Sequence, residues 1–383
     1  MKKKLAILKS DPWLEPFAPA IEGRHQDVVN KLNEITADTD GSLSKFANAH
    51  KYFGLNKSTR GGWVFREYAP NATAITLVGT FSDWQEQDQY RLQNIGNGVW
   101  ELKLPKKALH HGDLYKMMVH WDGGQGERIP AYATRVVQDE VTHIFSAQVY
   151  DPKEKYEFKV RRFKPETKPL LIYECHIGMS QIEPKVGSYD EFREKVLPRI
   201  AKDGYNAIQI MAIQEHPYYG SFGYHVSNFF APASRCGTPE ELKELIRVAH
   251  AKGIAVIMDL VHAHYVKNYN EGIRDLDGTD HHYSKSGDAG YQKYWDSKIF
   301  DYGKREVEHF LLSNVKYWLE EYHFDGYRFD GVTSMLYHHR GYVEFDCRER
   351  FFDEGVDRDA IVYLTLANKL IHDLRPDAIT IAE

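Results

Sequence analysis

The run Gly326-Tyr327-Arg328-Phe329-Asp330-Gly331-Val332-Thr333-Ser334-Met335 decides how the chain folds. Just upstream, Val307, Phe310, Leu311, Val315, Trp318 and Leu319 recur at helical spacing over 306–322. After Asp325-Gly326 the pattern shortens to that of a strand. Side chains alternate along a strand, so Tyr327 and Phe329 share one face while Arg328 and Asp330 share the other. An aromatic face packs on a helix layer, whereas an Arg–Asp face points into a polar, enclosed space. Asp330 stands where the strand runs into a glycine, the strand end from which parallel barrels draw reactive residues. A neighbouring guanidinium favours the carboxylate form, so Asp330 is expected to stay ionised, as a poised nucleophile would. An Arg–Asp ion pair tying a strand end to a loop fits the same ten residues. Both readings stand at this point.

Outward from this run, strand and helix patterns alternate. Strands are expected at 170–176, 207–213, 254–260, 326–332 and 378–383, and helices at 189–203, 239–252, 304–322 and 357–374. Repeated strand–helix units imply a parallel sheet covered by helices. Further upstream the texture changes. Residues 152–169 are charged, Pro-containing and unpatterned, which marks a boundary. Residues 61–151 read as a small β-sandwich with strands at 63–69, 74–81, 99–104, 114–121 and 143–150. Residues 1–60 carry a Pro-rich lead from Asp11 to Phe17 and an amphipathic helix with Val28, Val29, Leu32 and Ile35 as its stripe. The expected plan is therefore a multidomain chain: 1–60 helical, 61–151 sandwich, 152–169 linker and 170–383 partial barrel.

The composition is that of a soluble globular protein, with 42% hydrophobic and 27% charged residues, enough to bury a sizeable core. A net charge of −6, without a basic cluster, argues against a nucleic-acid partner. Met1-Lys2-Lys3-Lys4 looks like the start of a signal peptide, but the apolar run behind it ends at Lys9, too short for one. No stretch approaches the length of a membrane span. Cys175, Cys236 and Cys347 are odd in number and lack metal-ligand spacing. A cytoplasmic chain with free thiols, monomeric and away from membranes, is expected.

Polar residues gather at three expected strand ends: Asp259 with His262 and His264, Arg328 with Asp330, and Glu383. Two carboxylates on neighbouring strands are the minimal apparatus of a glycosidase. The segments Asp259-Leu260-Val261-His262-Ala263-His264, Gly326 to Asp330 and Ile379-Thr380-Ile381-Ala382-Glu383 resemble, in order, three signature regions of the α-amylase superfamily. Glu215 to Tyr224, Gly237 to Leu242 and Thr333 to His339 are similar to the 1,4-α-glucan branching enzymes, their eukaryotic-type subgroup above all. Glu67 to Ala72 and Val78 to Trp84 resemble the carbohydrate-binding module that precedes such catalytic domains, which makes Tyr68 and Trp84 candidate stacking platforms.

The resemblance implies a (β/α)8 barrel, here with about five strands. It implies Asp330 as nucleophile, Glu383 as general acid/base and Arg328 as the group that orients Asp330. Asp259, His264 and Tyr224 would hold the sugar beside the cleaved bond. The implied reaction cuts an α-1,4-glucan (glycogen, amylose or starch-like) and passes the chain to a 6-hydroxyl, with no metal or organic cofactor. The family's fourth signature region has no counterpart, so the 383-residue chain is expected to be inactive, and poorly folded beyond a self-sufficient sandwich. Three alternatives remain: a debranching or amylase-type hydrolase, a metal-dependent hydrolase using His262 and His264, and a glucan-binding protein without turnover. The pairs His281-His282 and His338-His339 read as solvated loop residues.

Overall fold

The computed structural model describes residues 5–59, 61–158, 163–165 and 169–383. The Met1-Lys2-Lys3-Lys4 opening and two parts of the 152–169 boundary, 159–162 and 166–168, lie outside the described residues.

Five parallel strands form the sheet that carries the site. In chain order they are β1 (Ile172–Cys175), β2 (Ala207–Ile210), β3 (Ala255–Leu260), β4 (Gly326–Phe329) and β5 (Ile379–Ala382), each paired with the next. The register sets Asp259 beside Arg328 and Arg328 beside Ile381. Asp259 and Arg328 therefore project from the same face of adjacent strands. All six residues of β3 are buried, as a strand covered on both faces requires. β1 and β5 are the edges of this sheet.

The outer face carries helices α1 (Pro239–Ala251), α2 (Arg305–Glu321) and α3 (Arg358–Leu374). Thr238 and Glu241 close a reciprocal capping box on α1, and Asp357 caps α3 through the Ala360 N–H. The expected α2 stripe is buried throughout. At the start of β4, Gly326 has φ +150°, and a Cβ there would lie 1.8 Å from the Ile379 carbonyl oxygen. Only glycine lets β4 come this close to β5. The expected helix at 189–203 forms with a π-helical turn, Phe192–Val196, in its middle. Pro198 has no N–H to return to Glu194, so the α-helical ladder is interrupted there.

The sandwich has two antiparallel sheets. One orders Gly54–Lys57, Trp63–Tyr68, Val99–Leu104 and Gln93–Gly96; the other is built on Ala72–Gly79 and Leu114–Trp121. Gly54–Lys57 pairs with Trp63–Tyr68, so this sheet begins before residue 61. Sequence patterning missed Gln93–Gly96 because every residue of it is exposed, and Gly124–Arg128 because glycine weakens its alternation. The strand expected at 74–81 ends at Gly79, and Phe81 lies in a short 3-10 turn.

One apolar core runs from the N-terminal helices through the sandwich to the outer helix layer. Tyr132 of the sandwich stacks on Phe53 at 5.2 Å and Phe230 at 5.1 Å, and meets Phe310 of α2 edge-on at 5.2 Å. Arg135 donates to the Gly237 carbonyl at 2.7 Å, and Asn71 to Asp277 at 2.7 Å. The sandwich and the remainder thus share buried surface. A second, small cluster (Ala207, Ala255 and Ile257, with Phe163, Ile379 and Ile381 against it) lies on the inner face of the sheet.

Candidate active site

The strand ends converge on one guanidinium. Nη1 of Arg328 donates to both oxygens of Asp259, at 2.8 and 2.9 Å, and to Oδ1 of Asp330 at 2.9 Å. Nη2 lies 3.4 Å from Oε2 of Glu383. Strand pairing continues through these residues, since Asp330 N–H donates to the Leu260 carbonyl and Glu383 N–H to the Phe329 carbonyl, each at 3.1 Å. Gly331 takes φ +61°, which turns the chain sharply after Asp330. Its N–H then donates to Oε2 of Glu383 at 2.9 Å. One turn thus positions both carboxyl groups.

Asp330 differs from expectation in its acidity. Burial first, then the Asp259 carboxylate, push its pKa up to about 6, with Glu383 adding to the rise and Arg328 opposing it. Arg328 opposes the rise but does not outweigh burial and the two neighbouring carboxyl groups. At pH 7 Asp330 is still mostly ionised. Asp259, fully buried, is raised by that burial against the pull of Arg328 and the Tyr224 hydroxyl, which donates to it at 2.8 Å. Burial, with the Asp259 charge adding, keeps that hydroxyl far above its ordinary acidity range, so it stays a donor. Burial, reinforced by His225, lowers His264 to about 3 and leaves it neutral. Its Nδ1 has no hydrogen-bond partner.

Asp330, Glu383, His264 and Tyr224 line one open cleft of about 530 Å³. Arg328 and Asp259 sit behind them as the electrostatic support. The cleft also takes Tyr218, His225, Tyr294 and Trp295, which sequence reasoning missed; they lie on loops with no periodic signal, and only chain proximity to the named motifs could have flagged them. His262 turns away from the cleft. Its Nδ1 meets the Tyr363 hydroxyl at 2.5 Å and its Nε2 the Asn314 side-chain oxygen at 3.0 Å, so both nitrogens are occupied in the core. Among the described residues no cluster of three or more His, Cys, Asp or Glu side chains is arranged to hold a metal ion.

The sandwich candidates fall in different places. Tyr68 is half-buried at the junction with the barrel, its ring 5.5 Å from that of His282. Trp84 stands in a turn with φ +57° and is 36% exposed, so its ring remains accessible. His282 is not the solvated residue expected: it is buried, with Nδ1 3.1 Å from Asp277, which also holds Asn71. His281 and His338 are exposed and His339 is half-buried.

Sandwich and parallel sheet are similar to a carbohydrate-binding module followed by an α-amylase catalytic domain. Residues 52–133 match carbohydrate-binding module 48 (isoamylase N-terminal domain), and residues 194–295 match the alpha amylase catalytic domain. The fold is also that of two solved pullulanases. One, from Bacillus acidopullulyticus, has TM-score 0.68 and 19% identity, over 86% of this chain and 41% of that one. The other, from Paenibacillus barengoltzii and solved with maltohexaose and alpha-cyclodextrin, has TM-score 0.66 and 19% identity, over 91% and 56%.

More specifically, the chain is similar to 1,4-alpha-glucan-branching enzymes. It is 44% identical to that of Dictyostelium discoideum, over 98% of this chain and 56% of the relative. It is 45% identical to that of Aspergillus oryzae over the same shares. It is 46% identical to 1,4-alpha-glucan-branching enzyme 2-2, chloroplastic/amyloplastic, of Arabidopsis thaliana, over 98% and 48%. The chain thus spans about half the length of these curated relatives.

Proposed function

We propose that the protein containing this chain is a retaining α-glucan branching transferase. The observation that carries the proposal is the convergence of Asp259, Asp330 and Glu383 on Arg328, with Asp330 and Glu383 lining one cleft. Asp330 attacks the anomeric carbon of an α-1,4-linked glucose while Glu383 gives its proton to the departing oxygen. Glu383 then removes a proton from the 6-hydroxyl of an acceptor glucan, which displaces Asp330 and restores the α configuration as an α-1,6 branch. Tyr224 and the unpartnered nitrogen of His264 suit the hydroxyls of the sugar undergoing cleavage, because a neutral imidazole can donate or accept.

The names of the relatives support the substrate, an α-1,4-glucan such as glycogen, amylose or a starch-like chain. Trp84, with its ring accessible, would stack on a glucose ring from the sandwich side; Tyr68, half-buried with its ring 5.5 Å from that of His282, would offer less surface. The reaction needs two carboxyl groups and no cofactor, so a chelator should leave it unchanged. The described residues contain no helix long and apolar enough to cross a membrane. Three unpaired cysteines suit a reducing compartment, and we place the protein, as a monomer, in the cytoplasm.

The covalent step can be tested directly. In the protein as its source produces it, Glu383→Gln with maltosyl fluoride should accumulate a glycosyl-enzyme, because fluoride leaves without a proton donor. Mass spectrometry should place the added sugar on the peptide bearing Asp330. A sugar on another residue, or none at all during fluoride release, would refute the assignment.

A further inference from the structure

The rim of the cleft carries a feature that no step of the proposed chemistry uses. Tyr294 stands in the hairpin joining Tyr291–Gln292 to Ser297–Lys298, and that hairpin is anchored by pairing with Tyr265–Val266. It lines the cleft beside Trp295, yet is 69% exposed. Tyr342 comes from a different loop, the one after the short helix Val332–Leu336 that follows Asp330. That loop is held by Tyr342 N–H to the His339 carbonyl and by Arg340 Nη1 to the Ser334 carbonyl, each at 3.0 Å. The two rings lie 4.0 Å apart between centroids, with 38° between their planes, and Tyr342 is 52% exposed.

A pair serving only to staple two loops would gain most by hiding its faces from water. Here over half of each residue stays in solvent, on loops whose bases are fixed. Flat, amphipathic side chains with two torsions offer contact area at little entropic cost, which is why exposed tyrosines mark recognition surfaces. Pyranose rings have the matching chemistry, with apolar C–H faces and hydroxyl edges. Tyr294 borders the cleft and Tyr342, outside its lining, packs against Tyr294, so the pair carries an aromatic surface beyond the cleft.

We infer that Tyr294 and Tyr342 form a stacking platform for a glucosyl unit lying outside the cleft, which makes the site select longer α-glucans over short ones. The inference rests on the glucan reading above. A short oligosaccharide held at the carboxylates ends before the platform, whereas a longer one reaches it.

Calorimetric affinities for maltotriose and maltoheptaose test this in the source-produced protein, with Asp330→Asn in the background to prevent turnover. Leucine keeps an apolar contact between the loops but loses the flat face; phenylalanine keeps the face. With Tyr294→Leu and Tyr342→Leu together, the preference for maltoheptaose over maltotriose should fall roughly tenfold, the scale of one ring-stacking contact. The corresponding phenylalanine pair should hold the preference within about twofold, since the stacking face is retained. Tyr342→Leu alone carries the test if the double variant fails to fold. An unchanged preference in the leucine variants, or an equal loss in the phenylalanine pair, would overturn the platform. A parent protein that binds neither sugar would overturn the glucan reading, and the platform with it.

Discussion

Arg328 and Asp330 stand two residues apart on one strand, with Nη1 of the first 2.9 Å from Oδ1 of the second. The same nitrogen serves Asp259, and burial, then the Asp259 charge, lift Asp330 to about 6 against the pull of Arg328. A nucleophile must be ionised, so activity should decline as pH drops through about 6. Asp259→Asn removes a negative neighbour and frees Arg328 for Asp330; both changes favour the carboxylate. The acid limb of the residual rate should therefore move to lower pH. A limb that stays in place or moves upward would show that Asp330 does not set it.

Asp330→Asn keeps the shape of the side chain and removes its nucleophilicity. Turnover should fall by at least about a hundredfold while glucan affinity changes little, because covalent catalysis is lost and only one contact altered. Steady-state rates and calorimetric binding on the same preparation separate the two effects. Comparable losses of both would make Asp330 a binding residue.

Glu67 offers a test of the sandwich interior. It is fully buried, and its oxygens accept the N–H groups of Tyr68 at 3.1 Å and Ala131 at 2.9 Å. Burial pushes its pKa from 4.5 up to about 8 against those hydrogen bonds. Between those values the folded chain binds the proton that the unfolded chain has released. The stabilisation is therefore complete below 4.5 and lost as pH rises through 8. Glu67→Gln cannot ionise, so its Tm minus that of the parent should climb between pH 5 and pH 9. A difference that stays constant with pH would mean that Glu67 is ionised in the fold throughout.

Tyr132 should matter to both halves of the molecule. Tyr132→Ala empties a site packed by Phe53, Phe230 and Phe310, a loss of about 3 kcal/mol or more for an aromatic core truncation. Cleavage within 152–169 should leave the two pieces associated on a sizing column, because their apolar surfaces cover each other. Release of a stable sandwich fragment would show that the shared core contributes little.

The parts of the fold legible in the sequence were those with strong periodicity. The stripe of α2 and the continuous apolar run of β3 each placed an element to within one residue, while the alternation of Tyr327 and Phe329 placed the start of β4 but not its end, which falls at Phe329 and not at the expected 332. The grouping of Asp259, Arg328, Asp330 and Glu383 followed from strand order. What stayed hidden depends on tertiary contact. Nothing local says that Arg328 is shared by three carboxylates, that His262 is consumed by Asn314 and Tyr363, or that His282 is buried against Asp277. Tyr294 and Trp295 reach the cleft only because a hairpin folds over the end of the sheet.

The most direct test of the central claim is a paired assay of the source-produced protein on amylose, following iodine staining and reducing ends together. Transfer to a 6-hydroxyl makes one bond for each bond broken. Staining should fall while reducing ends stay nearly constant. Reducing ends that rise in step with the loss of staining would make the protein a hydrolase and contradict the claim.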